Sequence, residues 1–99
     1  MPRAPVVWTL LALIKASMVR SGVVEYKAPF VLRHDFSPNF PLRLMLKDIH
    51  LMLEAARQNR VKLPALETVQ ELYELATEEG QQDQDYAAML TLLERWAGL

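Results

Sequence analysis

Cysteine is absent from the 99 residues, which excludes disulfides and cysteine-ligated zinc or iron–sulfur sites and leaves nothing to argue for an oxidising compartment. Glycine is scarce: Gly22, Gly80 and Gly98 lie far apart, so neither a dinucleotide fingerprint nor a phosphate-cradling loop can be assembled from them. Only His34 and His50 could offer imidazole, and they lack the spacing of a zinc-binding helix. A metal site built on His34-Asp35 would need a further histidine upstream, and none exists. No serine stands in a nucleophile-elbow context. Long apolar runs are missing too. Val6 to Ile14 is far short of the roughly 20 residues that span a bilayer, and Lys15 follows it directly. Arg3 before that run gives a faint likeness to a leader, but no A-x-A-like site follows, and a buried helix is the expectation.

What is present argues for one packed domain covering residues 1–99, since 52% of the residues are hydrophobic and 23% charged. The net charge of −1 conceals a division. Residues 1–62 carry ten Lys or Arg against four acidic residues, while residues 63–99 carry one Arg against eight. Such halves either neutralise each other, or one face meets an anionic ligand, or both are simply solvated. Basic residues form no cluster and the pI is near 6.1, so nucleic acid is not an expected partner, nor is a membrane.

Proline and glycine punctuate the chain. Pro5 predicts the first turn of a helix, apolar on most sides, that ends at Ser21-Gly22. Residues 23–33, interrupted by Pro29, predict one or two short helical turns, and His34 to Pro41 a loop. From Leu42 to about Gln58, apolar residues recur at Leu42, Met45, Leu46, Ile49, Met52, Leu53 and Ala56, a helical period. Asp48 has Leu44, Leu51, Met52 and Ala55 as helical neighbours, so its carboxylate starts from an apolar flank and should find donors. Pro64 opens a further helix with Leu66, Val69, Leu72, Tyr73 and Ala76 on one stripe and Glu67, Glu71, Glu74 and Glu78 on the other; Gly80 stops it. Asp83 or Asp85 can cap a last helix packing Tyr86, Met89, Leu90, Leu93 and Trp96. No segment alternates with period two. The expected class is all-α, a compact helical bundle.

The segments Asp35-Phe36-Ser37-Pro38-Asn39-Phe40 and Leu42-Arg43-Leu44-Met45-Leu46-Lys47-Asp48 resemble the DF-x-P-x-F…LMLKD signature of the β-hydroxyacid dehydrogenases. That group includes 3-hydroxyisobutyrate dehydrogenase, tartronate semialdehyde reductase and the glyoxylate/succinic semialdehyde reductases. The resemblance continues through Leu53 to Arg57, Leu63-Pro64, Glu71-Leu72-Tyr73 and Asp85-Tyr86-Ala87-Ala88, with Leu10 to Gly22 fitting more loosely.

The resemblance implies the all-α C-terminal, substrate-side domain of an NAD- or NADP-dependent enzyme acting on a small hydroxy acid or semialdehyde, like the C-terminal domain of 6-phosphogluconate dehydrogenase-like enzymes. It implies that Phe40 shapes the pocket beside nicotinamide and substrate. Lys47 would reach the cofactor or substrate anion, and Asp48 would hold loop and helix together by accepting hydrogen bonds. Each position has a plainer reading: a core aromatic, a solvated surface lysine, a structural cap. The family's glycine-rich domain and its G-x-x-x-K-x-x-N lysine find no match among Lys15, Lys27, Lys47 and Lys62. The expectation is therefore that the chain binds no cofactor and turns over no substrate alone. It would pair with a Rossmann domain in cis or trans, or serve as a stand-alone interaction module that forms a homodimer through an exposed apolar face. A cytoplasmic location is the default.

Overall fold

The computed structural model of the chain describes residues 3–99, with side chains from Pro5 onward. The Arg3 charge of the leader-like reading therefore lies outside the described side chains. Among the described residues five α-helices and one 3-10 turn follow one another: α1 Arg3–Lys15, α2 Gly22–Arg33, α3 Leu42–Gln58, α4 Pro64–Glu78, the 3-10 turn Tyr86–Met89, and α5 Leu90–Trp96. The all-α class is as expected, and no strand occurs among the described residues.

The first third of the chain departs from the sequence reading. Helix α1 ends at Lys15, where the Ser17 hydroxyl donates to the Ile14 carbonyl at 2.7 Å. Ser21 begins the next helix instead of ending this one: its backbone is extended and its hydroxyl accepts from the Val24 amide at 3.2 Å. Helix α2 then runs unbroken through Pro29. An interior proline costs roughly 3 kcal/mol and leaves the carbonyl four residues earlier without its amide. Burial of Ala28 and Val31 on the same face outweighs that, and His34, in left-handed conformation, closes the helix.

Helix α1 is not the buried helix its composition suggests. It packs chiefly against α2, with Val7, Leu11 and Ile14 half-buried, and leaves Trp8 and Leu13 about two-thirds exposed, at 63% and 65%. A helix apolar on all sides is buried all round only where neighbours exist on all sides.

Helices α3 and α4 form the centre and run as predicted. Asn59 and Arg60 turn the chain, Pro64 occupies the first turn of α4, and left-handed Gly80 ends it. Leu42, Ile49, Tyr73, Ala76 and Leu92 form the core, with Met45, Leu46, Leu53, Leu66, Val69, Tyr86 and Met89 packed around it.

The last helix is out of phase with its predicted stripe. Leu92 is buried, while Leu93 and Trp96 are exposed. The 3-10 turn is the cause. Each of its residues advances by roughly 120° rather than 100°, so four of them rotate α5 by nearly a quarter turn.

This phase is testable. Leu92→Ala is expected to lower unfolding stability by about 2–5 kcal/mol, the range for a buried leucine. Leu93→Ala is expected to cost less than about 1 kcal/mol, as at surface sites. Urea titrations that rank the two variants the other way would show the helix turned back to the simple 3.6-residue phase.

Candidate functional site

The loop His34–Pro41 is held from below by a short backbone zipper. The Asp85 amide donates to Phe36 O at 2.9 Å, and the Tyr86 amide donates to Phe40 O at 2.9 Å. In return the Leu42 and Arg43 amides donate to Gln84 O and Gln82 O, at 2.8 and 2.9 Å. Those last two bonds matter because Pro41 offers α3 no side-chain cap, so carbonyls of a distant segment satisfy its first amides. Pro41 and Asp85 thereby form an isolated antiparallel bridge.

At the centre of the zipper lies the Asp85 carboxylate, 1% exposed. Its Oδ2 accepts from Lys27 Nζ at 2.7 Å and from the Ala87 amide at 3.1 Å. Its Oδ1 accepts from the Asn39 and Phe40 amides at 3.0 and 3.1 Å. Burial pushes the Asp85 carboxyl up, but the Lys27 ammonium and the amides of Phe40, Ala87 and Asn39 outweigh it and hold the group below the ordinary carboxylate range. Lys27 itself is 7% exposed, and its ammonium lies 4.8–5.2 Å from the ring centroids of Tyr26, Phe30 and Tyr86.

Tyr73 closes the floor by donating to the Tyr86 carbonyl at 3.2 Å. Burial, with Tyr86 and Asp85 beside it, pushes its hydroxyl up to about 12.

The residues singled out from the sequence fall into two places. Phe40 is half-buried, its ring edge-on to Tyr86 at 6.3 Å. Lys47 and Asp48 are exposed on α3, and among the described residues neither side chain has a hydrogen-bond or ion-pair partner. The expectation that Asp48 ties loop to helix is therefore corrected. Its apolar flank of Leu44, Leu51 and Met52 is itself exposed, at 37%, 60% and 46%, so the carboxylate stays in water and needs no donors. Asp85 does the tying instead.

Asp85 is legible in the sequence as a cap, and it does accept from Ala87 two residues on. Lys27 is a site residue that the sequence reading misses. Its signal is a lone lysine one helical turn from Val24 and Val31, which calls for a buried counter-ion.

Much of the loop's polarity is already committed. The Asn39 and Phe40 amides are spent on Asp85, so they form no anion hole. Asp35 Oδ1 accepts from the Ser37 amide at 3.1 Å, and His34 Nε2 lies 3.2 Å from Glu94 Oε1. No cluster of three potential metal ligands occurs among the described residues, and no described helix is long and apolar enough to cross a membrane. Of the three residues singled out, Lys47 and Asp48 keep an ammonium and a carboxylate uncommitted, and Phe40 keeps part of its ring in solvent.

The family model described as NAD-binding of NADP-dependent 3-hydroxyisobutyrate dehydrogenase matches residues 7–93. The 2-hydroxy-3-oxopropionate reductase of Escherichia coli (strain K12) is 30% identical over 77 residues, 78% of this chain and 26% of the relative. Glyoxylate/succinic semialdehyde reductase 1 of Arabidopsis thaliana is 27% identical over 82 residues, 83% and 28% of the two chains. The chain thus spans little more than a quarter of the length of these relatives. The crystal structure of a 3-hydroxyisobutyrate dehydrogenase from Salmonella typhimurium shares the fold with a TM-score of 0.80 at 20% identity, covering 87% of this chain and 30% of that one.

The clamp makes stability depend on pH with a defined sign. Asp85 ionises at lower pH in the folded chain than in the unfolded one, so its contribution is complete above the ordinary value of 3.8. It is lost as pH falls through the lower folded value. Urea midpoints should therefore drop below about pH 4, and Asp85→Asn should flatten that drop. Lys27→Met, which leaves a buried carboxylate unpaired, should cost about 3–5 kcal/mol at pH 7. Asp48→Asn should stay within about 0.5 kcal/mol of the parent. A larger cost for Asp48→Asn than for Lys27→Met would contradict the assignment of the clamp to Asp85.

Proposed function

The chain belongs to the family described as NAD-binding of NADP-dependent 3-hydroxyisobutyrate dehydrogenase, and on that premise we propose that it forms the helical, substrate-side wall of an oxidoreductase site. In this reading residues 1–99 act as one C-terminal-type domain, and a dinucleotide-binding domain in cis or trans completes the site. An all-helical scaffold lacks the strand–turn–helix cradle that receives a pyrophosphate. Its share of NAD or NADP contact then comes from side chains: Phe40 against the nicotinamide side, Lys47 toward an anion of cofactor or substrate, and Asp48 beside it.

The observation that carries this reading is the outer flank of α3. Lys47 and Asp48 are exposed and unpartnered among exposed Leu44, Leu51 and Met52. Apolar side chains around uncommitted charges suit a surface that a second body covers. Once such a cleft is dry, the attraction of Lys47 for a carboxylate strengthens several-fold over its value in water. The relatives' names specify small carboxylates bearing a hydroxyl or an aldehyde, and a small hydroxy acid or semialdehyde is the substrate class proposed here. A bound nicotinamide would supply the hydride chemistry, and the proton given to the substrate oxygen on reduction, or taken from it on oxidation, would need a general acid–base group from the other domain.

A second reading is favoured by α1. Trp8, Leu10, Leu13, Met18 and Val19 are exposed, and the radius of gyration is 14.7 Å. A compact chain of about 100 residues would have roughly 13 Å. The projecting α1–α2 hairpin would then pair with a second copy across a two-fold axis. The module would be a dimer, either within the enzyme or in place of it.

The first reading is tested by grafting residues 7–93 in place of the matching segment of the Escherichia coli reductase. The graft should oxidise NADH or NADPH in the presence of a small semialdehyde acid. Lys47→Met should then lower kcat/KM by about 10–100-fold, the loss of one charged hydrogen bond. A folded, active graft indifferent to Lys47→Met would overturn the role of this face. Sedimentation equilibrium tests the second reading: the isolated chain should weigh about twice its 11.4 kDa, and a purely monomeric species at micromolar concentration would dismiss it.

A further inference from the structure

We infer that Lys27 and Asp85 are positioning residues for the α3 face: buried themselves, they set where Phe40 and Lys47 stand without touching what those groups contact. The inference rests on the reading of that face as a ligand wall.

The Asn39 and Phe40 amides both point at Asp85 Oδ1, which sets two successive peptide planes. The Phe40 carbonyl is held from the other side by the Tyr86 amide at 2.9 Å. Backbone freedom at Phe40 is thus removed before and after its side chain, and the ring meets Tyr86 edge-on. Lys27 enters this arrangement twice. It neutralises the carboxylate that orients the amides, and its ammonium lies 4.8 Å from the centroid of the Tyr86 ring against which Phe40 leans.

The effect extends to Lys47 through α3. The first amides of that helix, at Leu42 and Arg43, are capped by Gln84 and Gln82 of the segment that Asp85 anchors. Lys47 stands five residues after Leu42, within a continuous helix whose first turn includes fully buried Leu42. A rigid helix conveys a shift of its first turn to a side chain at that distance. An apolar pair in place of Lys27 and Asp85 would fill the same volume but offer the two amides no acceptor. A buried ion pair seldom adds net stability over such a pair, and its better-attested use is to specify register. The register specified here is that of the loop beneath the ligand wall.

The test has two arms. In the 99-residue chain, amide exchange by NMR is compared for Lys27→Met, Lys27→Arg and the parent. The inference expects exchange at Asn39 and Phe40 in Lys27→Met to rise at least tenfold more than at Ala76 in α4, whose rise tracks the overall loss of stability, and most of that local excess to disappear in Lys27→Arg. A rise at Asn39 and Phe40 no larger than at Ala76 would make the pair a general stabiliser and overturn the inference. In the grafted reductase, Lys27→Met should raise KM for the semialdehyde at least fivefold. Local loosening with an unchanged KM would also overturn it. If Lys27→Met does not fold, Asp85→Glu carries both arms, since it keeps the charge and displaces the carboxylate by one methylene. A graft that is inactive with Lys27 in place counts against the ligand-wall reading, and the exchange arm then decides the positioning claim by itself.

Discussion

A single carboxylate organises this small domain. Asp85 is the point at which α2, the loop before α3, and the turn before α5 meet, and each contributes a donor to its two oxygens. An ionised group at that depth is tolerated only with its lone pairs occupied and a counter-charge beside it. The aromatic rings around Lys27 complete the enclosure by giving the ammonium faces rather than water to lie against. Everything that has a candidate role, Phe40 included, is referred to this point. The helices supply the scaffold, and the carboxylate sets how they are registered.

The charge division between the two halves of the chain acquires a structural meaning from the same viewpoint. The excess positive charge of the first half and the negative charge of the second meet across the fold at two specific places: Lys27 with Asp85 in the interior, and Arg43 with Asp83 at the surface. Exposed pairs of this kind contribute little individually. Lys47 takes no part in them. A cation left out of those pairs, on a helix flank rimmed with apolar side chains, is the electrostatic basis for reading α3 as a wall that meets an anion.

Much of this is legible in the residues, and the failures share a cause. The span of α3, the proline start and glycine stop of α4, and the loop from His34 to Pro41 follow from local periodicity and turn chemistry, and the structure has them. Three features depend on neighbours that local sequence does not reveal. Pro29 does not break α2, because burial of Ala28 and Val31 outweighs one missing hydrogen bond. Helix α1 has the composition of an interior helix but too few neighbours to be one. The last helix is rotated because a 3-10 turn precedes it. At the site, resemblance brings Phe40, Lys47 and Asp48 forward, and the task it implies for Asp48 belongs to Asp85. The pattern of α3 shows which residues share a flank, but not whether that flank is covered. Asp85 is visible as a helix cap, whereas its partner lies 58 residues away and no local rule connects the two.

That separation also bears on the order in which the molecule is put together. The α3–α4 hairpin rests on contacts between near neighbours in the chain and can form early, because closing a short loop costs little entropy. The Lys27–Asp85 contact must wait until most of the chain has been ordered. The α3 face that carries Lys47 belongs to that hairpin, so the loop clamp is the part of the candidate site that is completed only with the whole fold. Its integrity reports on the assembly of the whole domain.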